Sequence, residues 1–181
     1  AKEQRAALFL PFEPIAHFRH GAKGLRWIAT GRLGDRNVVV VEHSYTVSTG
    51  KSNTTIVNAC VAAVGGVSWP LLSLAAESFF DRIGEKLGAK PDLKLEDERF
   101  NRRWRIRCED DGFALAVLSP EVQQAIGDGP PAEWWCFGGP RGLVGVGRRR
   151  SVDAAKLETM LARLESVLAA MPTEARAGLG L

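Results

Sequence analysis

The chain has little of what most catalytic or cofactor sites are built from. Its 181 residues include only three histidines and three cysteines. Cys60, Cys108 and Cys136 are odd in number, far apart and never in a C-x-x-C pair, so they read as buried thiols of a reducing compartment rather than a disulfide framework. His17 and His20 stand in a proline-broken arm and His43 beside Glu42, with no metal-ligand spacing, so neither a metal nor a cofactor is expected. The chain also lacks an initial Met and a signal peptide, which suggests a processed product or a piece of something longer.

Membrane-spanning length is nearly absent. One charge-free stretch, Ile56 to Ala76, approaches the ~20 residues that cross a bilayer. Gly65-Gly66, Trp69-Pro70 and the polar Asn58, Ser68 and Ser73 divide it, so it reads as two strands joined by a turn. The net charge is only +3, smaller and less clustered than a dedicated nucleic-acid binder needs. What is plentiful is apolar residues, 45% of the chain against 25% charged, enough for one domain with a sizeable core.

Local patterns give the organisation. Residues 1–24 mix basic and aromatic side chains, and Pro11 and Pro14 forbid a long helix, so an irregular arm packed on the body is expected. Residues 25–64 read as a three-stranded antiparallel meander, turning first at Gly34-Asp35 and then at "STGKSN". That second turn ends like a phosphate-binding loop, but Tyr45 stands where the first loop glycine belongs, so nucleotide binding is not expected.

A helix is expected over "AESFFDRIGEKLG", where Phe79, Phe80, Ile83 and Leu87 share a face. Phe100, Trp104, Ile106 and Cys108 then alternate with arginines, predicting one strand from Phe100 to Cys108. Asp110 or Asp111 opens a short helix, Ser119-Pro120 opens another, and Gly127 closes it. Trp134 to Phe137 and Leu143 to Val146 predict a hairpin around "GGPRG". Ser151 or Asp153 caps a long C-terminal helix striped by Leu157, Met160, Leu164, Leu168 and Met171. The expectation is an α+β domain over 25–171 with a mainly antiparallel sheet and about four helices, followed by a frayed tail over 172–181.

The foremost candidate for function is the arginine face. Arg103, Arg105 and Arg107 alternate with the apolar residues, and Arg141 and Arg148 to Arg150 add charge elsewhere. Such a face suits an acidic protein or an anionic lipid surface. Nucleic acid is disfavoured, because Trp104 points to the apolar side and leaves no aromatic among the arginines to stack on a base. The bland alternative is a solvated strand face paired with Asp or Glu across it. A rival is an enzyme or small-ligand domain that gathers His43, Tyr45, Trp104 and Arg105 into one pocket. A reactive Cys108 or Cys136 is weaker still, since no base lies nearby in sequence.

Three blocks, "NVVVVEHSYTVSTGKSNTT", "LSLAAESFFDRIGEKLG" and "DERFNRRWRIRCEDDGFALAVLSPEVQQAI", resemble an uncharacterised bacterial family common in actinobacteria. Its pattern is a V-x-x-F-D-Y-S-Y strand, a Gly-Lys-rich hairpin, a helix with Leu and Gly, and F-N-R-R-F-x-V-x-x-x-D ahead of an L-x-P helix. The likeness covers residues 25–171. Glu42-His43 replace Phe-Asp here, Trp104 replaces the second Phe, and Ala75-Ala76 stand where Pro often precedes the helix. The resemblance implies no reaction. It implies attachment through upstream hydrophobic helices, a position at the cytoplasmic face of the cell membrane, and a non-enzymatic role as an accessory part of a membrane complex.

Overall fold

The computed structural model describes residues 2–18, 20–48, 50, 52–76, 92–130 and 132–181. The chain runs from helix α1 (Lys2–Phe9) through two 3₁₀ turns to β1 (Leu25–Leu33), β2 (Arg36–Ser48), β3 (Asn53–Val64) and β4 (Trp69–Ala76). Then come α2 (Glu98–Arg103), β5 (Trp104–Cys108), α3 (Asp111–Val117), α4 (Pro120–Ile126), β6 (Glu133–Gly139), β7 (Leu143–Arg148), α5 (Ala154–Ala170) and α6 (Thr173–Leu179). No helix among the described residues is long and apolar enough to cross a membrane.

All seven strands form one antiparallel sheet in the order β1-β2-β3-β7-β6-β4-β5. The expected meander is its first three strands, and "STGKSN" joins two of them, with Ser48 opposite Asn53. The expected β6–β7 hairpin lies between β3 and β4, separating strands that follow each other in sequence. The fold is therefore α+β, as the patterning implied.

Strand alternation sends residues to two cores. One face presents Val61, Ala63, Leu74, Trp104, Ile106, Trp135, Phe137, Val144 and Val146 to α2 through α6, whose inward residues include Phe113, Val122, Ile126, Leu164 and Leu168. The other presents Val39, Val41, Cys60, Ala62, Trp134 and Cys136 to Phe9, Phe12, Ile15 and Phe18 of the arm. Those four arm side chains are at most 3% exposed. At about 1.5–3 kcal/mol for each buried ring or branched chain, the arm is a second covering layer and not an appendage. On β7 the sequence "LVGVGR" alternates valines toward the helices with Gly145 and Gly147 toward the arm. A β-carbon at Gly147 would land inside the Trp134 ring.

Four local expectations need correction or qualification. The arm begins as a regular helix and becomes irregular only at Pro11, which sits in a 3₁₀ turn. The strand expected from Phe100 to Cys108 starts at Trp104, because Asp97 caps α2 by accepting the amides of Arg99 (2.8 Å) and Phe100 (3.0 Å). The tail expected to fray forms α6, with Leu179 fully buried and its carbonyl lying against Gly65 and Gly142. The helix expected over 76–88 lies outside the described residues, apart from Ala76, which ends β4.

Candidate functional site: a cationic cleft at the β5 edge

The arginine face is divided by the end of α2. Arg103 is the last residue of that helix, and its guanidinium lies over the Trp104 ring at 5.0 Å. It donates to the carbonyls of Asp128, Gly129 (3.3 Å) and Pro130 (3.1 Å). Those acceptors are neutral, so its charge stays uncompensated by them. Arg105 and Arg107 do share a strand face, and both reach one carboxylate: Arg105 Nη1 is 3.5 Å and Arg107 Nε 3.3 Å from the two oxygens of Asp92.

The segment carrying Asp92 is fixed to the edge of the sheet. Leu93 donates its amide to the carbonyl of Ile106 at 3.0 Å, adding one bridge beyond β5. Asn101 holds the next turn, accepting the Leu95 amide at 3.0 Å and donating to its carbonyl at 2.7 Å. Between this segment and α2 lies a cleft of about 450 Å³, lined by Asp92, Lys94, Asn101, Arg102, Arg103, Trp104 and Arg105. Among the described residues, four cations thus line the cleft with one carboxylate, which Arg107 also uses. Arg102 has Glu98 at 4.0 Å, but both side chains are well exposed and such a pair offsets little.

The rival constellation is not assembled. His43 and Tyr45 lie on the arm face of β2, with ring centroids 6.3 Å apart. Trp104 is buried in the helix-side core with its Nε1–H on the carbonyl of Gly127 at 2.8 Å, and Arg105 is on the opposite edge strand. The histidines belong to packing. The His17 ring lies 4.3 Å from that of Trp134 and tilted to it, and burial, helped by the Arg149 charge, lowers its pKa to about 3. His43 lies 5.9 Å from the Phe9 ring and nearly parallel to it; burial lowers its pKa too, partly opposed by its 2.9 Å bond to the Gly21 carbonyl. Among the described residues no three His, Cys, Asp or Glu side chains form a group that could hold a metal.

Cys60 and Cys136 are fully buried and free, and both thiols converge on the space above Gly145. Burial pushes the Cys60 thiol up, and the neighbouring Cys136 adds to it. Their strands flank β7, and Cys60 stands opposite Gly147 while Cys136 stands opposite Gly145, which puts the α-carbons roughly 11–12 Å apart, beyond the roughly 7 Å a disulfide tolerates. Cys108 is partly buried against the helix-side core.

A larger cleft of about 800 Å³ lies between α2 and α4. Several of its polar groups already have partners: Asp97 and Ser119 cap helices, and Asp128 is paired with Arg99 at 2.7 Å, while Gln123 Oε1 is buried without one. Sequence reasoning missed two buried carboxylates: Glu42, 4% exposed and paired with Arg26 at 2.8 Å, and Glu133, 3% exposed. Glu133 accepts from Arg163 Nε (2.9 Å) and Nη2 (2.7 Å) and from Trp135 Nε1 (2.9 Å). Arg163 also donates to the carbonyl of Ile126 at 2.7 Å, so one guanidinium ties α5 to β6 and to the end of α4. The only signal for it was an arginine next to the apolar stripe of α5. No protein family, curated protein or solved structure matches the chain.

Proposed function

We propose that the protein is a noncatalytic binding domain whose ligand is an acidic segment of a protein partner, received in the cationic cleft beside β5. The observation that supports it is the charge imbalance among the described residues there: Lys94, Arg102, Arg103 and Arg105 line a concavity with Asp92 as the one carboxylate among them. A field of one sign in a concave site attracts and orients an oppositely charged chain. Concavity favours a chain segment over a flat bilayer, and among the described residues the exposed large apolar side chains Leu10, Val67, Trp69 and Leu115 all lie outside this lining. Trp104 is buried, so no ring is offered to a nucleobase. A place at the cytoplasmic face of a membrane, as an accessory part of a larger complex, belongs to the same reading and rests on the actinobacterial resemblance alone.

The test is co-purification from native membranes and cytosol with wild-type protein and a Lys94→Glu/Arg102→Glu variant. Among the described residues Lys94 makes no ion pair, and Arg102 has only the exposed 4.0 Å contact with Glu98. A stoichiometric protein partner retained by the wild type and lost from the variant is the expected result. Equal retention by both, or no partner at all, would sink the proposal. Binding to phosphatidylserine vesicles without a protein partner would replace it with a lipid surface.

A further inference from the structure

The two outer strands of the sheet end it in opposite ways. β5 has five residues, and Leu93 adds a bridge along its outer side, which blunts that edge. β1 has nine residues and, among the described residues, pairs only with β2. Its hairpin turn is the two-residue Gly34-Asp35, and Leu33 faces Arg36 as the closing pair. In a two-residue hairpin that pair exchanges hydrogen bonds, so Leu33, Gly31, Ala29 and Trp27 point their amides and carbonyls at β2. Ile28, Thr30 and Arg32 therefore point theirs outward. At the bulge before Trp27, Arg5 donates to the carbonyl of Arg26 at 3.1 Å. Among the described residues nothing takes those of Ile28, Thr30 or Arg32.

Among the described residues nothing overhangs this end of the strand. Ala29, Thr30, Gly31 and Arg32 are all exposed, on both faces of the sheet. The usual protections are missing too: no Pro, Lys or inward charge interrupts Ile28 to Gly31.

We propose that β1 is the pairing edge of a homodimer, in which two copies join antiparallel about a two-fold axis at Thr30. The strand is complementary to itself in that register. Thr30 faces Thr30 of the second copy, Ile28 faces Arg32, Ala29 faces Gly31 and Trp27 faces Leu33, so no like charges stand opposite one another. About six backbone hydrogen bonds form, at the two Ile28–Arg32 pairs and the central threonine pair. Trp27 and Leu33 already pack against the helix-side core, so their pairing extends that core across the axis. The nearby Arg26 is withdrawn, since the bulge between Leu25 and Trp27 sends it to Glu42 at 2.8 Å.

The contact is small, so the dissociation constant is on the order of tens of micromolar. Sedimentation equilibrium of the full chain should show a rise toward twice the 19.7 kDa monomer mass between about 1 and 200 µM. Thr30→Asp and Thr30→Lys place two like charges at the axis, and each variant should weaken the dimer at least tenfold. An equimolar mixture of the two should dimerise again, which a misfolded variant could not do. A monomer throughout that range, variants that dimerise like the wild type, or a mixture that stays monomeric would each overturn the proposal. None of these outcomes touches the β5 cleft.

Discussion

Replacing Arg163 with Met isolates the buried Glu133 carboxylate. The change keeps most of the side-chain volume and the packing against Trp135, whose ring lies 5.7 Å from the guanidinium. It removes the Nη2 and Nε donors from Glu133 and one from the Ile126 carbonyl. Glu133 is left 3% exposed with Trp135 Nε1 as its remaining side-chain donor. Breaking a fully buried pair from one side costs about 3–5 kcal/mol. The Arg163 side chain is 24% exposed, so water reaches part of the site and the lower end, about 3 kcal/mol, is expected. For a chain of this size that is roughly a 6–12 °C fall in Tm. Urea denaturation monitored by tryptophan fluorescence measures it directly. The double variant Arg163→Met/Glu133→Gln should be more stable than Arg163→Met alone, because the uncompensated charge is gone. A loss under about 1 kcal/mol for Arg163→Met, or a double variant no better than the single, would refute the assignment of Glu133 as a buried, arginine-dependent charge.

Two further outcomes follow from the arm-side core. Gly147→Ala should destabilise the protein by about 1–3 kcal/mol and by more than Gly145→Ala in thermal melts. The first β-carbon overlaps the Trp134 ring, whereas the second meets the Cys60 and Cys136 sulfurs at 3.1–3.2 Å. His17 titrates near 6.5 when unfolded and at about 3 when folded, so the unfolded chain takes up the proton first and acid destabilises the fold. Its contribution is complete above about pH 6.5 and is lost as pH falls toward 3, about 2 kcal/mol of it between pH 7 and pH 5. Urea midpoints at those two pH values should show His17→Leu losing that much less than the wild type.

Signals carried by neighbouring residues were the ones legible in the sequence. Gly34-Asp35 marks the first turn, Ser119 and Gly127 bracket α4, and Asp110 and Asp153 cap α3 and α5, because turns and caps are chemistry of a few adjacent groups. The α2–β5 boundary was misread for a related reason. Phe100 and Trp104 are four apart, which suits a strand face and a helix face equally, and Asp97 as the cap was the deciding residue. The α6 helix could not be read from "TEARAGL", because what orders it is the distant backbone of Gly65 and Gly142. The arginine face was legible only as a row of charges. Its division by the end of α2, and the sharing of Asp92, depend on a segment that returns to the sheet edge from outside the strand.

The insertion of β6–β7 between β3 and β4 sets an order of events during synthesis. The first three strands can pair as soon as they emerge, yet β3 must wait for residues 143–148, some eighty positions later, before its second side is covered. Until then the partial chain carries an apolar strand, Val57 to Val64, with an open edge that other chains can add to. Closing such distant contacts is slow, on the order of milliseconds to seconds. Truncation before β7 should therefore yield an aggregating product rather than a smaller folded one.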